Sequence, residues 1–507
     1  MTNARSLSKL LVGLPVRRVA GEGDPLIERA TIDSRNARSG VLFVACRGAT
    51  PRSRDGHDFV AAALAQGAAA VVVEREEAAP ADCRAPCFVA PDTRRVAAVL
   101  AERTAGEPSR ALSLVGVTGT NGKTTVTFLL ADVLAENGRR AAVLGTVGVG
   151  APGALRSLGF TTPEAEVLSR ELAQLRQDGF TDVAMEVSSH ALATERVDGL
   201  RFAAAAFTNL SQDHLDFHGS FEAYFAAKAR LFSDLLADEA AAVLPAAGGE
   251  WAAELRRRHP RAITWGLDEG ATVRAEGVEL GAFGARFTLA VAGQRAAVAS
   301  ALLGAANLEN LLCAAGCAHA LGLDVDVIAR GLSRARPAPG RMERIAGSGG
   351  ERPLVVVDYA HTPDALARAL DAARSLAEGR VIVVFGCGGD RDRQKRPLMA
   401  AEACRRADVI VLTDDNPRSE DPAAILDEVQ AGMEGFALAA EGALAPGRYA
   451  RVHDRRRAIE AAIAAAGPGD VVLVAGKGHE STQTLGDRVL PFDDAQVASE
   501  VLEGGAR

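Results

Sequence analysis

Residues 114–130 read LVGVTGTNGKTTVTFLL. The apolar run bounded by glycine predicts a buried parallel strand, GTNGKTT a glycine-rich turn, and VTFLL a helix. In that order, backbone N–H groups and a helix N-terminus are free to surround a phosphate chain, which commits this part of the chain to an open parallel sheet. Lys123 can neutralise terminal phosphate charge and Thr124 can offer a hydroxyl to Mg²⁺. The general P-loop pattern places glycine five residues before Gly122, where this chain has Val117. The loop is therefore a variant, and a plain strand-to-helix turn is the blander reading.

The pattern around this loop sets the organisation. Length alone, 507 residues, implies about three domains. Residues 1–110 alternate short apolar strands (VLFVAC, AAAVVVE, PCFVA) with alanine-rich helical stretches, a small α/β unit. Residues 111–335 repeat strand, loop and helix as expected of a parallel sheet with crossover helices. The segment RARPAPGRMER (334–344) interrupts the periodicity and reads as a hinge. In 336–507, LVVVD, VIVVFG, VIVLT, RYARVH and VVLVAG give five strand candidates of a doubly wound, Rossmann-like domain. The expected fold is α/β in three domains, the central one a P-loop ATPase-like parallel sheet.

Chemistry gathers after strands. MEVSSH (185–190) offers Glu186 to a metal and Ser188 to a substrate oxygen. FTNLSQDHLDFHG then brings Asp213, His214, Asp216 and His218 together, with Lys228 on a following helix. Two histidines allow zinc, but oxygen ligands beside phosphate make Mg²⁺ more economical. In the last domain VVVDYAHTPDAL, FGCGGDRDRQKRP, TDDNPRSEDP and AGKGHE each follow a predicted strand, so they share one sheet edge. Arg391, Arg418, Lys477 and Glu480 in those loops suit a zwitterionic small molecule. Lysine is scarce: Lys9, Lys123, Lys228, Lys395 and Lys477 are the only ones among 57 basic residues. Three of the five fall in these motifs, where a compact or neutral amine can do what arginine cannot.

Net charge is −8 and the pI near 5.7, so no basic field holds a nucleic acid or an anionic membrane. MTNARSLSKLLVGLPVRR is too short in apolar run and too rich in arginine for a signal peptide or membrane span, which points to the cytoplasm. Seven cysteines without a CxxC pair read as free thiols.

GTNGKTT, EVSSHAL, FTNLSQDHLDFHG, Lys228, NLENLL, PGRMER, VDYAHTPDAL, GCGGDRDRQKRPLM, DDNPR and GKGHE occur in the order of the Mur ligase family of peptidoglycan synthesis, which the chain resembles from TIDSR at 31 to about 480. Within the family, the chain looks most like the members that use ATP to add meso-2,6-diaminopimelate to UDP-N-acetylmuramoyl-L-alanyl-D-glutamate. The resemblance implies a UDP-sugar-peptide site in the first domain, ATP in the second and the amino acid in the third. It implies ATP contacts at Gly119, Thr120, Asn121, Gly122, Lys123, Thr124 and Thr125, with Asn307 and Asn310 beside adenine and Arg341 and Asp358 near phosphates and ribose. Ile32, Ser34 and the loop containing Ala49, Thr50 and Pro51 match the uridine site, and Thr161, Thr162, Ser188 and Arg196 the peptide site. Phe160 and Thr194 stand where relatives carry Asn and Gln.

Lys123, Glu186, His214 and Lys228 take the catalytic positions. Thr124, Glu186, His214 and a Lys228 carbamylated by CO₂ (N6-carboxylysine) would hold Mg²⁺. Arg418 would grip the far carboxylate of diaminopimelate, Glu480 and Gly476 its ammonium, and Arg391 the other carboxylate, with Asp415, Asn416 and Pro417 shaping the loop. Small-molecule substrates, a monomer and closure of the third domain over the second are further expectations of this resemblance. The ATP loop alone also fits folylpolyglutamate synthases. The same motifs leave room for a lysine-adding ligase and for a nucleotide-binding regulator with a degenerate site.

Overall fold

A computed structural model describes residues 4–48, 53–80, 83–439 and 444–504. The chain forms two compact units, one of residues 1–273 with 313–328, the other of 274–312 with 329–507.

Among the described residues the first unit contains two larger sheets and a short antiparallel pair, Arg5–Ser6 with Leu26–Ile27. In the N-terminal larger sheet, strands lie in the order Arg17–Ala20, Cys87–Val89, Ala70–Val73, Val41–Val44, Arg29–Thr31, parallel except for the first pair. VLFV and AVVV are buried at every position because both faces are covered, which is why they read as continuous apolar runs. The second sheet orders Ala141–Leu144, Asp182–Glu186, Ser113–Thr118, Phe202–Phe207, Leu236–Pro245 and Ile263–Gly266, all parallel. An antiparallel hairpin, Val149–Ala151 with Ala154–Arg156, extends its edge beside Ala141–Leu144. The strand Ser113–Thr118 lies inside this sheet, and the helix Lys123–Glu136 that leaves it is largely buried. The returning helical segment comes so close that a Cβ on Gly316 would stand 2.7 Å from Val243 Cγ1.

In the second unit, Gly284–Val291 and Gln294–Ser300 pair antiparallel. The main sheet orders Glu343–Arg344, Leu354–Asp358, Val471–Ala475, Val381–Phe385, Val409–Leu412, Arg448–Arg451 and Ala437–Leu438. All its pairs are parallel except the Glu343–Arg344 edge. Its two faces carry separate cores, one of Leu366, Leu370 and Met399, the other of Ile459, Ala462 and Val497. This is the doubly wound arrangement expected of the five apolar runs. The returning strand Val471–Ala475 sits between Leu354–Asp358 and Val381–Phe385, so loops 359–362, 476–480, 386–394 and 413–421 leave neighbouring strand ends on one edge. All seven cysteines are thiols. Among the described residues no helix is long and apolar enough to cross a membrane.

Candidate active site

The phosphate-type loop begins where Ser113–Thr118 ends. Gly119 (φ +144) and Gly122 (φ +86) take backbone conformations that favour glycine, and a Cβ at 119 would collide with Thr208 Oγ1. Segment 208–211 clamps the loop from outside: Thr120 N donates to Asn209 O (2.9 Å), Asn121 N to Asn209 Oδ1 (3.0 Å), and Thr208 Oγ1 to Asn121 O (2.6 Å). Lys123 Nζ folds back onto Gly119 O (3.0 Å) and Thr120 O (2.8 Å). Thr124 and Thr125 are buried at the helix start, and Thr124 Oγ1 donates to Glu186 Oε1 (3.0 Å). The Glu186 carboxylate also accepts from Thr146 N (2.8 Å) and Thr146 Oγ1 (3.2 Å). Gly145 leaves room for it, because a Cβ there would collide with Glu186 Oε1.

Lys228 is 1% exposed. Its Nζ donates to Gly119 O (2.8 Å) and lies 4.4 Å from the centre of the Tyr224 ring. Burial, followed by the like charge of Lys123, pushes this amine well below its usual range. His190, His214 and His218 cluster nearby, with ring centres 4.6 and 5.6 Å from His190. Burial and its two histidine neighbours push His190 down to about 4. Among the described residues, no three His, Cys, Asp or Glu side chains gather tightly enough to hold a metal by themselves. A site with oxygen donors from Thr124 and Glu186 suits a hard cation.

The peptide positions surround the end of Asp182–Glu186. Thr161 Oγ1 is 2.9 Å from Thr146 Oγ1, Thr162 Oγ1 donates to Glu186 O (2.8 Å), and Ser188 N donates to Thr162 Oγ1 (3.1 Å). Ser188 Oγ also caps the short helix after it, accepting from Ala191 N at 3.2 Å. Arg196 Nη1 donates to Thr162 O (3.1 Å) and its guanidinium pairs with Glu164 (3.0 Å). Ile32 lines one pocket with Thr194 and Arg196, which brings the first sheet's loop to the peptide positions. Ser34 opens a short turn capped by Asp33. Ala49, Thr50 and Pro51 lie outside the described residues. Phe160 is exposed, and Thr194 is buried with Oγ1 bonded to His190 O at 2.7 Å.

The second unit holds the other positions. Asn307 Nδ2 donates to Leu303 O (2.9 Å), and Asn310 Nδ2 to Asn307 Oδ1 (3.0 Å). Asp358 accepts from Met342 N (2.7 Å) and Ala360 N (2.9 Å), and burial raises its pKa against the opposing pull of Arg341. The Arg341 guanidinium lies 4.7 Å above the Tyr359 ring.

At the four-loop edge, Asn416 Nδ2 donates to Glu480 Oε2 (2.8 Å), and the fully buried Lys477 Nζ joins Asn416 Oδ1 (3.1 Å) to Glu480 Oε2 (3.2 Å). Gly476 (φ +118) makes room for Asp415, whose Oδ2 is 2.6 Å from where a Cβ would stand. Pro417 O and Glu420 crowd Gly389, while Arg418 Nη1 donates to Gly389 O (2.7 Å). Arg391 lies across Gly388, its Cγ 3.8 Å from a Cβ built there, with Nη1 on Asp390 O (3.1 Å). The fold thus brings Arg391, Asp415, Asn416, Pro417, Arg418, Gly476 and Glu480 into one contiguous set of loops. Sequence reasoning missed the buried cations behind them: Arg455, which pairs with buried Asp494 (2.7 Å) and donates to Ala475 O (3.0 Å), and Arg396. Nothing in a polar stretch such as HDRRRAIE separates a buried arginine from an exposed one. The tie made by Lys477 follows from its motif only once the loops are folded.

Three family descriptions match successive parts of the chain: Mur ligase family, catalytic domain (26–105), Mur ligase middle domain (117–318) and Mur ligase, glutamate ligase domain (340–478). A UDP-N-acetylmuramoyl-L-alanyl-D-glutamate--2,6-diaminopimelate ligase of Geobacillus thermodenitrificans is 43% identical over 98% of this chain and 99% of its own. A solved structure bearing the same enzyme name is 34% identical with a TM-score of 0.69, covering 95% of this chain and 96% of its own. A MurF ligase from Thermotoga maritima, solved in complex with ADP, shares the fold at 18% identity and a TM-score of 0.58, covering 94% of this chain and 97% of its own.

Proposed function

The chain belongs to the Mur ligase family, and on that premise we propose that it is the ATP-dependent amide ligase that adds meso-2,6-diaminopimelate to UDP-N-acetylmuramoyl-L-alanyl-D-glutamate in peptidoglycan precursor synthesis. The observation that carries the reading is the edge where Asn416, Lys477, Glu480 and Arg418 meet, fixed anionic and cationic groups suited to an amino acid with two charged ends. Full-length likeness to relatives of that name supports it. Residues 1–110 are assigned to the UDP-sugar peptide, 111–335 to ATP and 336–507 to the amino acid. The enzyme is read as a cytoplasmic monomer.

The γ-carboxylate of the substrate's D-glutamate attacks the γ-phosphorus of ATP. The P–O bond to ADP breaks, leaving an acyl phosphate. The amine of diaminopimelate attacks the acyl carbon, phosphate leaves, the amine proton is lost and the amide forms. Lys123 and the amides of residues 119–125 stabilise charge on the phosphoryl group, a positioning and electrostatic task. Asn307 and Asn310 are assigned to adenine, and Arg341 and Asp358 to the phosphates and ribose.

Thr124, Glu186, His214 and a carbamylated Lys228 would hold Mg²⁺, which would neutralise charge at the phosphates. Burial and the like charge of Lys123 disfavour the ammonium form of Lys228; its neutral amine would add to CO₂ with loss of a proton, and the carbamate would give the buried site an anion. Thr161, Thr162, Ser188 and Arg196 orient the peptide, while Ile32, Ser34 and residues 49–51 bind the uridine end. Arg418 takes the far carboxylate of diaminopimelate, Glu480 and the Gly476 backbone its ammonium, and Arg391 the remaining carboxylate. ADP release with the UDP-dipeptide, measured with meso-diaminopimelate and separately with L-lysine, tests the reading. Turnover with diaminopimelate and little with lysine is expected, and equal use of lysine would replace it with a lysine-adding ligase.

A further inference from the structure

Arg418 and Arg391 lie on the open side of loop 388–391, and Arg396 lies behind it. Arg396 is fully buried on the first turn of the helix Lys395–Arg406. Its Nη2 donates to Gly388 O (3.1 Å) and to Glu420 Oε1 (2.9 Å); its Nη1 donates to Glu420 Oε2 (2.9 Å) and Glu428 Oε2 (2.8 Å). Glu420 Oε1 also accepts from Asp390 N (2.6 Å), and Asp390 in turn accepts from Ser419 N (3.2 Å) and Oγ (2.7 Å). One guanidinium therefore ties together loop 386–391 and loop 416–420. Gly388 lies beside both front arginines: a Cβ there would stand 2.9 Å from Arg418 Nη1 and 3.8 Å from Arg391 Cγ. The Gly389 carbonyl that holds Arg418 belongs to the next peptide unit.

We propose that Arg396 is a positioning residue for amino-acid selection: its fork on Glu420 and the Gly388 carbonyl sets the separation of Arg391 and Arg418, and so the length and charge pattern of the amino acid accepted. Arginine suits the task because it can donate in several fixed directions at once, whereas lysine is a point charge on a flexible stem. Burial and pairing with two carboxylates give the fork one preferred orientation, so it serves as a rigid spacer. The proposal rests on the reading of this edge as the amino-acid site and adds to it a residue that touches no substrate.

Steady-state ADP release, at saturating ATP and UDP-dipeptide, is measured for wild type, Arg396→Lys, Glu420→Gln and Arg393→Gln with diaminopimelate and with L-lysine, alongside KM for ATP and thermal melting. Arg396→Lys and Glu420→Gln should raise KM for diaminopimelate about 10-fold or more, and narrow the diaminopimelate-to-lysine ratio of kcat/KM by a similar factor, since small misplacements cost this much. KM for ATP should stay within about 2-fold, a split that general destabilisation does not produce. Arg393→Gln, which alters an exposed neighbour that also pairs with Glu428, should match wild type. Glu420→Gln keeps Arg396 in place and so reads the tie even if Arg396→Lys fails to fold. Unchanged KM and selectivity in a folded Glu420→Gln variant, or parallel rises in KM for ATP and diaminopimelate, overturn the proposal. A wild-type enzyme indifferent to lysine versus diaminopimelate instead overturns the functional reading, and the KM of the variants for whichever amino acid is used still decides the role of Arg396.

Discussion

Replacing Arg418 by alanine tests the substrate assignment most directly. Nη1 of Arg418 is already committed to Gly389 O at 2.7 Å, which leaves the Nε and Nη2 edge of the fork for a carboxylate. Two hydrogen bonds to a charged group at about 1.5–3 kcal/mol each total about 3–6 kcal/mol, or about 10²–10⁴ in kcat/KM for diaminopimelate. L-Lysine has no carboxylate at its far carbon and loses none of this, so the ratio between the two amino acids should collapse by the same factor. The variant should fold, because Arg418 is only half-buried. Its φ of +54° is the left-handed region, where alanine bears the same backbone cost as arginine, so Arg418→Gly alongside Arg418→Ala separates the side chain from the backbone. The assay is ADP release against amino-acid concentration, with KM for ATP as the internal control. An Arg418→Ala enzyme that keeps wild-type preference for diaminopimelate would refute the carboxylate grip.

Lys123→Ala should melt close to wild type yet lose about 10²–10³-fold in turnover; a folded variant with near wild-type turnover removes the phosphate role from this loop. Lys228 should carry one CO₂ in native mass spectra, with activity falling in CO₂-depleted buffer and returning with bicarbonate. An unmodified amine in fully active enzyme would rule that out. Glu195 is pushed up to about 7 by burial and by its neighbour Asp92. The folded protein therefore holds an extra proton between about pH 4.5, the ordinary glutamate value, and about 7. The stability tied to that proton is complete below this window and is lost as pH rises through 7. Melting temperature should fall across the window in wild type and less in Glu195→Gln, and parallel profiles would contradict it.

The third-domain edge was legible because the apolar runs stop abruptly, VIVVFG and VVLVAG at glycine and LVVVD and VIVLT at a polar residue. The phosphate loop was legible for the same reason. Strands Val273–Gly281, Gly284–Val291 and Gln294–Ser300 escaped notice: Gly277 interrupts the first, and Ala296, Ala297 and Ala299 blur in the last the alternation that marks a half-buried strand. The scarcity of lysine proved a useful signal, since Lys228 and Lys477 are essentially without solvent exposure. The same reasoning fails for arginine. Where arginine supplies the surface charge, buried Arg396 and Arg455 look like their exposed neighbours, and only the fold shows which guanidinium faces a carboxylate in the interior.

Gly145 and Glu186 are linked in a way that orders their evolution. Gly145 does not occupy the left-handed region, so alanine is conformationally acceptable there, and the obstacle is the Glu186 carboxylate. A descendant could accept Gly145→Ala only after shortening residue 186, for example to aspartate, which would draw the carboxylate away from Thr124 and Thr146. Each single step passes through a weakened enzyme. The pair should therefore persist together or change together, and a lineage with alanine at position 145 should also carry a compensating residue at 186.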